Sequence, residues 1–109
     1  MPESTLPIAG HSPGAGISAL RLAIDEIDEK IMDLINQRLL LARQIGNIKK
    51  KGGIQIADHR REKEILDRLL EKNKGPVSDR GLRNIFGAII TEGRNVQGPD
   101  APEKGETQK

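Results

Sequence analysis

One apolar stripe decides most of what this chain can become. Leu20, Ile24, Ile27, Ile31, Leu34, Leu41, Ile45 and Ile48 recur by alternating steps of four and three, and the same register passes through Arg38. That spacing is a heptad seam on one long α-helix, and its apolar members should face a partner or a core. The helix is predicted from about Ser18, a suitable N-cap, to Lys51, with Gly52–Gly53 as its stop. At 1.5 Å per residue it would be roughly 50 Å long. A compact body of this chain length is only about 25–30 Å wide. Two short helices of the same chain cannot cover such a seam.

The 109 residues fit one domain and leave no room for two. Only 35% of them are hydrophobic and Phe86 is the sole aromatic, so a core made by one chain would be thin and burial shared with a second copy is expected. The absence of Cys excludes a disulfide scaffold, a thiolate nucleophile and a zinc–thiolate site. The first sixteen residues, MPESTLPIAGHSPGAG, carry neither a basic nor an apolar signal region. No apolar run approaches membrane-spanning length, so the expected location is cytoplasmic. Residues 1–16 and 98–109 lack periodicity and read as disordered arms around a helical domain at 17–97. His11, in the first arm, is expected to be solvated and idle.

Two shorter helices complete an all-α pattern. The second starts at Asp58 as N-cap and turns Ile65, Leu66, Leu69 and Leu70 to one face. Arg61 and Glu62 extend that face by one turn. The third follows Gly75–Pro76, with Ser78 as N-cap and Val77 and Leu82 spaced as a hydrophobic staple. Its stripe is Leu82, Ile85, Phe86, Ile89, Ile90, Gly93, Val96 and Gln97. Gly46 lies inside the first helix at a cost of about 1 kcal/mol relative to Ala. Close approach of another helix and room for a ligand are both adequate reasons for it.

The polar groups on or beside these stripes are Arg21, Arg38, Lys49, Asp58, Arg61, Glu62 and Gln97. Cations dominate. A guanidinium in an apolar seam is costly unless an anion meets it. Residues 34–57 contain no acid, whereas Asp25, Glu26, Asp28, Glu29 and Asp33 crowd the preceding stretch. Matching to the helix macrodipole accounts for that gradient and for Lys50 and Lys51, but not for Arg38. Arg38 and Lys49 are about three turns apart, on nearly the same face and roughly 16 Å along the axis. Their long side chains can converge on a small polyanion. Arg21 lies about 42 Å of helix from Lys49, and spacing alone favours an ordinary exposed side chain there. If it is functional, its site must be completed by a second protomer, as a two-fold antiparallel pairing of the long helices would allow.

Other chemistries lack their residues. Neither His11 nor His59 is placed as a base beside a nucleophile, no glycine-rich phosphate loop occurs, and no carboxylates or histidines have metal-ligand spacing. A cofactor-free pocket of Arg, Lys, Gln and Glu suits stabilisation of charge in a transition state, and equally simple anion binding.

Four segments in order, LRLAIDEIDEKIMDLINQR, LARQIGNIKK, IADHRREKEIL and IFGAIITEGRNVQ, give the chain its resemblance to the all-helical class of chorismate mutases. The resemblance covers residues 17–97. It implies an intertwined homodimer of three-helix protomers, with chorismate as substrate, no cofactor and no metal. It further implies that Arg38 and Lys49 of one protomer and Arg21 of the other hold the chorismate carboxylates. Lys49 and Gln97 would hydrogen-bond the ether oxygen, and Glu62 would accept from the ring hydroxyl with Asp58 nearby. Arg61 would assist at the anionic end. The reaction implied is a unimolecular [3,3] rearrangement to prephenate, which requires no nucleophile, and binding would select the compact substrate conformer. Gly93 departs from the family pattern, which usually has Ser there, and so removes one contact to a substrate carboxylate.

Two other readings compete. An isochorismate-pyruvate lyase shares the fold and a similar cationic pocket. A basic helical module for nucleic acid or a partner helix would use Lys49–Lys51 and the HRR run. Against the latter, Glu62, Glu64, Asp67 and Glu71 balance the second helix, and no aromatic platform for bases exists.

Overall fold

The computed structural model describes residues 13–99. It contains three helices, α1 (Pro13–Gly52), α2 (His59–Lys72) and α3 (Asp79–Gln97). No strand occurs among the described residues, so the all-α expectation holds. None of the helices is long and apolar enough to cross a membrane. Residues 1–12 and 100–109 of the expected arms, and with them His11, lie outside the described residues.

The helix α1 starts earlier than the stripe predicted. Residues 13–16, read from sequence as part of an arm, form its first turn, and Ser18 is inside the helix rather than its cap. Pro13 fits a first helical turn, because its fixed φ suits the helix and its missing N–H would have had no partner there. Gly14 and Gly16 carry no apolar side chain to signal the turn in a hydrophobicity pattern.

The chain divides after Asn36 into two units, with α1 contributing to both. In the first, the seam residues Leu20, Ile24, Ile27, Ile31 and Leu34 are all exposed, Leu34 to 62%. A row of branched aliphatic side chains in water is the state the heptad pattern argues against.

The second unit, from Gln37 onward, holds the core. Ala42 from α1, Ile56 from the following loop, Ile65 from α2, and Leu82 and Ile90 from α3 are its buried hydrophobic residues. The core is thin, as composition implied, and no described side chain is sealed completely. Leu66, Leu69 and Leu70 are half-buried rather than buried. Ile85, placed by its spacing on the α3 stripe, is 53% exposed. This unit's own elements cover only part of each apolar face.

Local chemistry places the connections. At the end of α1, Gly53 adopts φ +70°, Gly53 N–H donates to the Lys50 carbonyl (3.3 Å), and Ile54 N–H donates to the Lys49 carbonyl (2.8 Å). This pair of bonds is a Schellman stop, which requires a left-handed residue where Gly53 sits. The Asp58 side chain caps α2 by accepting from Arg61 N–H at 3.1 Å. Ser78 caps α3 by accepting from Gly81 N–H at 2.9 Å. Beside that cap, Val77 is half-buried and Leu82 buried.

Candidate active site

A cleft of about 260 Å³ opens in the second unit between α1, α2 and α3. Its polar lining consists of Arg38 and Lys49 from α1, Asp58, Arg61 and Glu62 from the start of α2, and Arg94 and Gln97 from α3. The lining therefore brings together every polar position singled out from the sequence except Arg21, which is exposed on α1 in the first unit. Gly93 also lines the cleft.

Small residues let α3 approach α1. A Cβ placed on Gly46 would lie 2.7 Å from Gln97 Cβ and 2.8 Å from Gln97 Cα. Gly46 is therefore explained by close approach of the α3 backbone, the first of the two reasons the sequence left open. One turn earlier on α3, a Cβ on Gly93 would lie 3.3 Å from Arg38 Nη1 and 3.8 Å from Ala42 Cβ. Gly93 and Gln97 thus lie against Arg38, Ala42 and Gly46, residues spaced by four along α1.

The cleft is electropositive for a structural reason. Four cations and two carboxylates line it, a formal excess of two positive charges. The acids are already engaged within the chain. Glu62 Oε2 accepts from Arg94 Nε at 2.9 Å, and Asp58 caps α2. Arg61 lies 3.7 Å from Glu64, outside the cleft lining. No described acid pairs with Arg38 or Lys49. Both are half-buried, so their charge is poorly screened and available to an anionic ligand.

Lys49 is held from two sides. Its Nζ donates to the Ile56 carbonyl at 2.9 Å, while its own carbonyl receives Ile54 N–H in the helix stop. An ammonium has three donors, so this anchor leaves two for a ligand. Gln97 is the counterpart on α3. Its Oε1 is buried without a hydrogen-bond partner, and no other described buried side-chain polar atom shares that state. A buried amide oxygen that finds no partner in its own chain is costly unless a ligand supplies one. Turning the amide over exchanges its oxygen for its NH₂ group, and in that orientation Gln97 presents an N–H to an acceptor.

The sequence reading missed Arg94. It follows Ile90 by four and precedes Gln97 by three, so helical spacing alone places it beside the cleft-facing stripe. Among the described residues no three acidic or histidine side chains are grouped as a metal would need.

Comparison with known proteins identifies relatives of this chain. Residues 20–98 match the family described as chorismate mutase type II. A chorismate mutase of Methanocaldococcus jannaschii is 38% identical over 82 residues, covering 74% of this chain and 83% of that protein. The bifunctional chorismate mutase/prephenate dehydratase of Aquifex aeolicus is 39% identical over 79 residues, or 69% of this chain. The chain spans about a fifth of the length of such bifunctional relatives. Among solved structures, a conserved hypothetical protein from Pyrococcus furiosus superposes with a TM-score of 0.63 at 36% identity, over 80% of this chain and 99% of that one.

Proposed function

The chain belongs to the chorismate mutase type II family, and from that premise we propose that it converts chorismate to prephenate without a cofactor, as a cytoplasmic homodimer. The observation that carries the proposal is the pair of half-buried cations, Arg38 and Lys49, left without an acidic partner in one cleft with Gln97. Chorismate is a dianion, and the formal excess of positive charge in the cleft is two.

In this reading Arg38 and Lys49 bind the substrate carboxylates, with Arg61 assisting from the start of α2. Lys49 and the Gln97 amide donate to the ether oxygen, where negative charge grows as the C–O bond breaks. Donors fixed before the reaction stabilise that charge without reorganising. Glu62 accepts from the ring hydroxyl, with Asp58 nearby. The rearrangement breaks one C–O bond and forms one C–C bond within a single molecule. The walls of the cleft need only hold the reactive conformer and the developing charge.

The homodimer is supported by the exposed seam from Leu20 to Ile48. Burying such a row against a second copy gains roughly 25 cal/mol per Å² of apolar surface. Arg21, exposed on the same helix, would then complete the site of the partner protomer.

Incubation of the purified protein with chorismate and, separately, with isochorismate tests the proposal. Prephenate from chorismate is expected. Salicylate and pyruvate from isochorismate, with no prephenate, would assign the protein as a lyase instead.

A further inference from the structure

We propose that Arg94 is a positioning residue for this site: it holds the Glu62 carboxylate and so keeps that acid from neutralising Arg38 and Lys49. The inference rests on the reading of the cleft as a chorismate site, and deepens it by adding a residue that reading does not use.

Glu62 shares its cleft with Arg38 and Lys49, two cations that no described acid pairs. A carboxylate on a flexible side chain that lines the same sheltered cleft as unpaired cations is drawn toward them. Were it to swing onto Arg38 or Lys49, the chain would occupy its own anion site. Arg94 opposes this. Its Nε donates to Glu62 Oε2 at 2.9 Å, joining α3 to the first turn of α2 across 32 positions of sequence. Both side chains are largely sheltered, at 36% exposure for Arg94 and 20% for Glu62.

The only other described group at the Glu62 carboxylate is His59, whose Nδ1 lies 3.3 Å from Oε1. The His59 side chain is 80% exposed, so it pulls toward solvent and holds weakly. Arg94 supplies the firmer restraint, from the cleft side. A carboxylate offers about four lone-pair positions. With one taken by Arg94, Glu62 still has capacity for a ligand hydroxyl, now in a fixed place. The charge count follows the same logic. With Glu62 matched by Arg94, Arg38 and Lys49 stand free for a dianion.

A residue that acts through Glu62 loses its importance when Glu62 is gone, and a double-mutant cycle reads this directly. Steady-state kinetics with chorismate would be measured for the unmodified protein, Arg94→Met, Glu62→Ala and the double variant. Arg94→Met is expected to raise KM about tenfold while lowering kcat by less, as for loss of ground-state binding. Added to Glu62→Ala, it is expected to change kcat/KM by less than about twofold. An equal cost in both backgrounds would overturn the proposal, because Arg94 would then act on the substrate itself. So would an unchanged KM in the single variant.

Thermal unfolding and solution mass, recorded for each variant, separate these effects from loss of fold. Should Arg94→Met fail to fold, Arg94→Leu, which also removes the donor to Glu62, is put through the same cycle with the same outcomes. Absence of prephenate from the unmodified protein would overturn the functional reading as a whole. Turnover with additive costs would overturn the role of Arg94 alone.

Discussion

Gly46 and Gln97 sit so close that a methyl group on Gly46 would lie 2.8 Å from the Gln97 backbone Cα. The absence of one side chain on α1 thus sets how deeply the end of α3 reaches into the cleft. Gly46→Ala is expected to push the last turn of α3 outward. Overpacking of this kind costs about 1–3 kcal/mol, partly offset by about 1 kcal/mol of better helix propensity. Chemical denaturation should show a small net destabilisation. The loss in kcat/KM should be far larger than that destabilisation explains, because Gln97 moves with the helix.

In the proposed mechanism Gln97 donates to the ether oxygen through an amide that is neutral at any ordinary pH. A carboxyl at the same position donates only when protonated, and its unperturbed pKa is about 4.3. Gln97→Glu should therefore gain activity as pH falls toward that value and lose it as pH rises. Its pH–rate profile should slope steeply where that of the unmodified protein is flatter. A flat profile in the variant would place Gln97 away from the ether oxygen.

By the family resemblance, Gly93 stands where a Ser is expected. A Cβ there would meet only the Nη1 of Arg38, at 3.3 Å, and the Ala42 methyl, at 3.8 Å. Arg38 meets it with the far end of a flexible side chain, which can move a few tenths of an ångström. Gly93→Ser should therefore fold normally and gain a few tenths of a kcal/mol from helix propensity. Its KM for chorismate should stay equal or fall, as steady-state kinetics would show.

Sharing of the site between protomers has a separate signature. Arg21→Ala and Lys49→Ala should each be nearly inactive alone. In a two-fold dimer with shared sites, a hybrid of the two has one site carrying both defects and one carrying neither. Refolding an equal mixture should therefore recover about a quarter of the unmodified activity. No recovery, with hybrids demonstrated by mass, would remove Arg21 from the site.

Much of this architecture could be read from the sequence because its signals are local. Asp58, Ser78 and Gly53 each stand where a cap or stop chemically requires such a residue, and each does that job. The stripes of α2 and α3 followed from spacing alone, and they brought Glu62 and Gln97 to one cleft with Arg38 and Lys49. What escaped has no local signature. The first turn of α1 contains two glycines and no apolar period, so nothing in it announced a helix. Gly46 had two sufficient explanations until the position of Gln97 chose between them. Arg94 could be assigned a partner only once α2 and α3 were placed side by side, because Glu62 is 32 residues away. Ile85 has stripe spacing yet remains exposed, because spacing names a face without saying what covers it.

In the proposed function, Arg38 and Lys49 are unpaired because chorismate is their anion. The most direct measurement is kcat/KM for chorismate in Arg38→Ala and Lys49→Ala beside the unmodified protein, with folding checked by thermal unfolding. Each variant is expected to lose about 10²–10³-fold, as for removal of a donor that meets charge in the transition state. Near-normal kcat/KM in both folded variants would contradict the account.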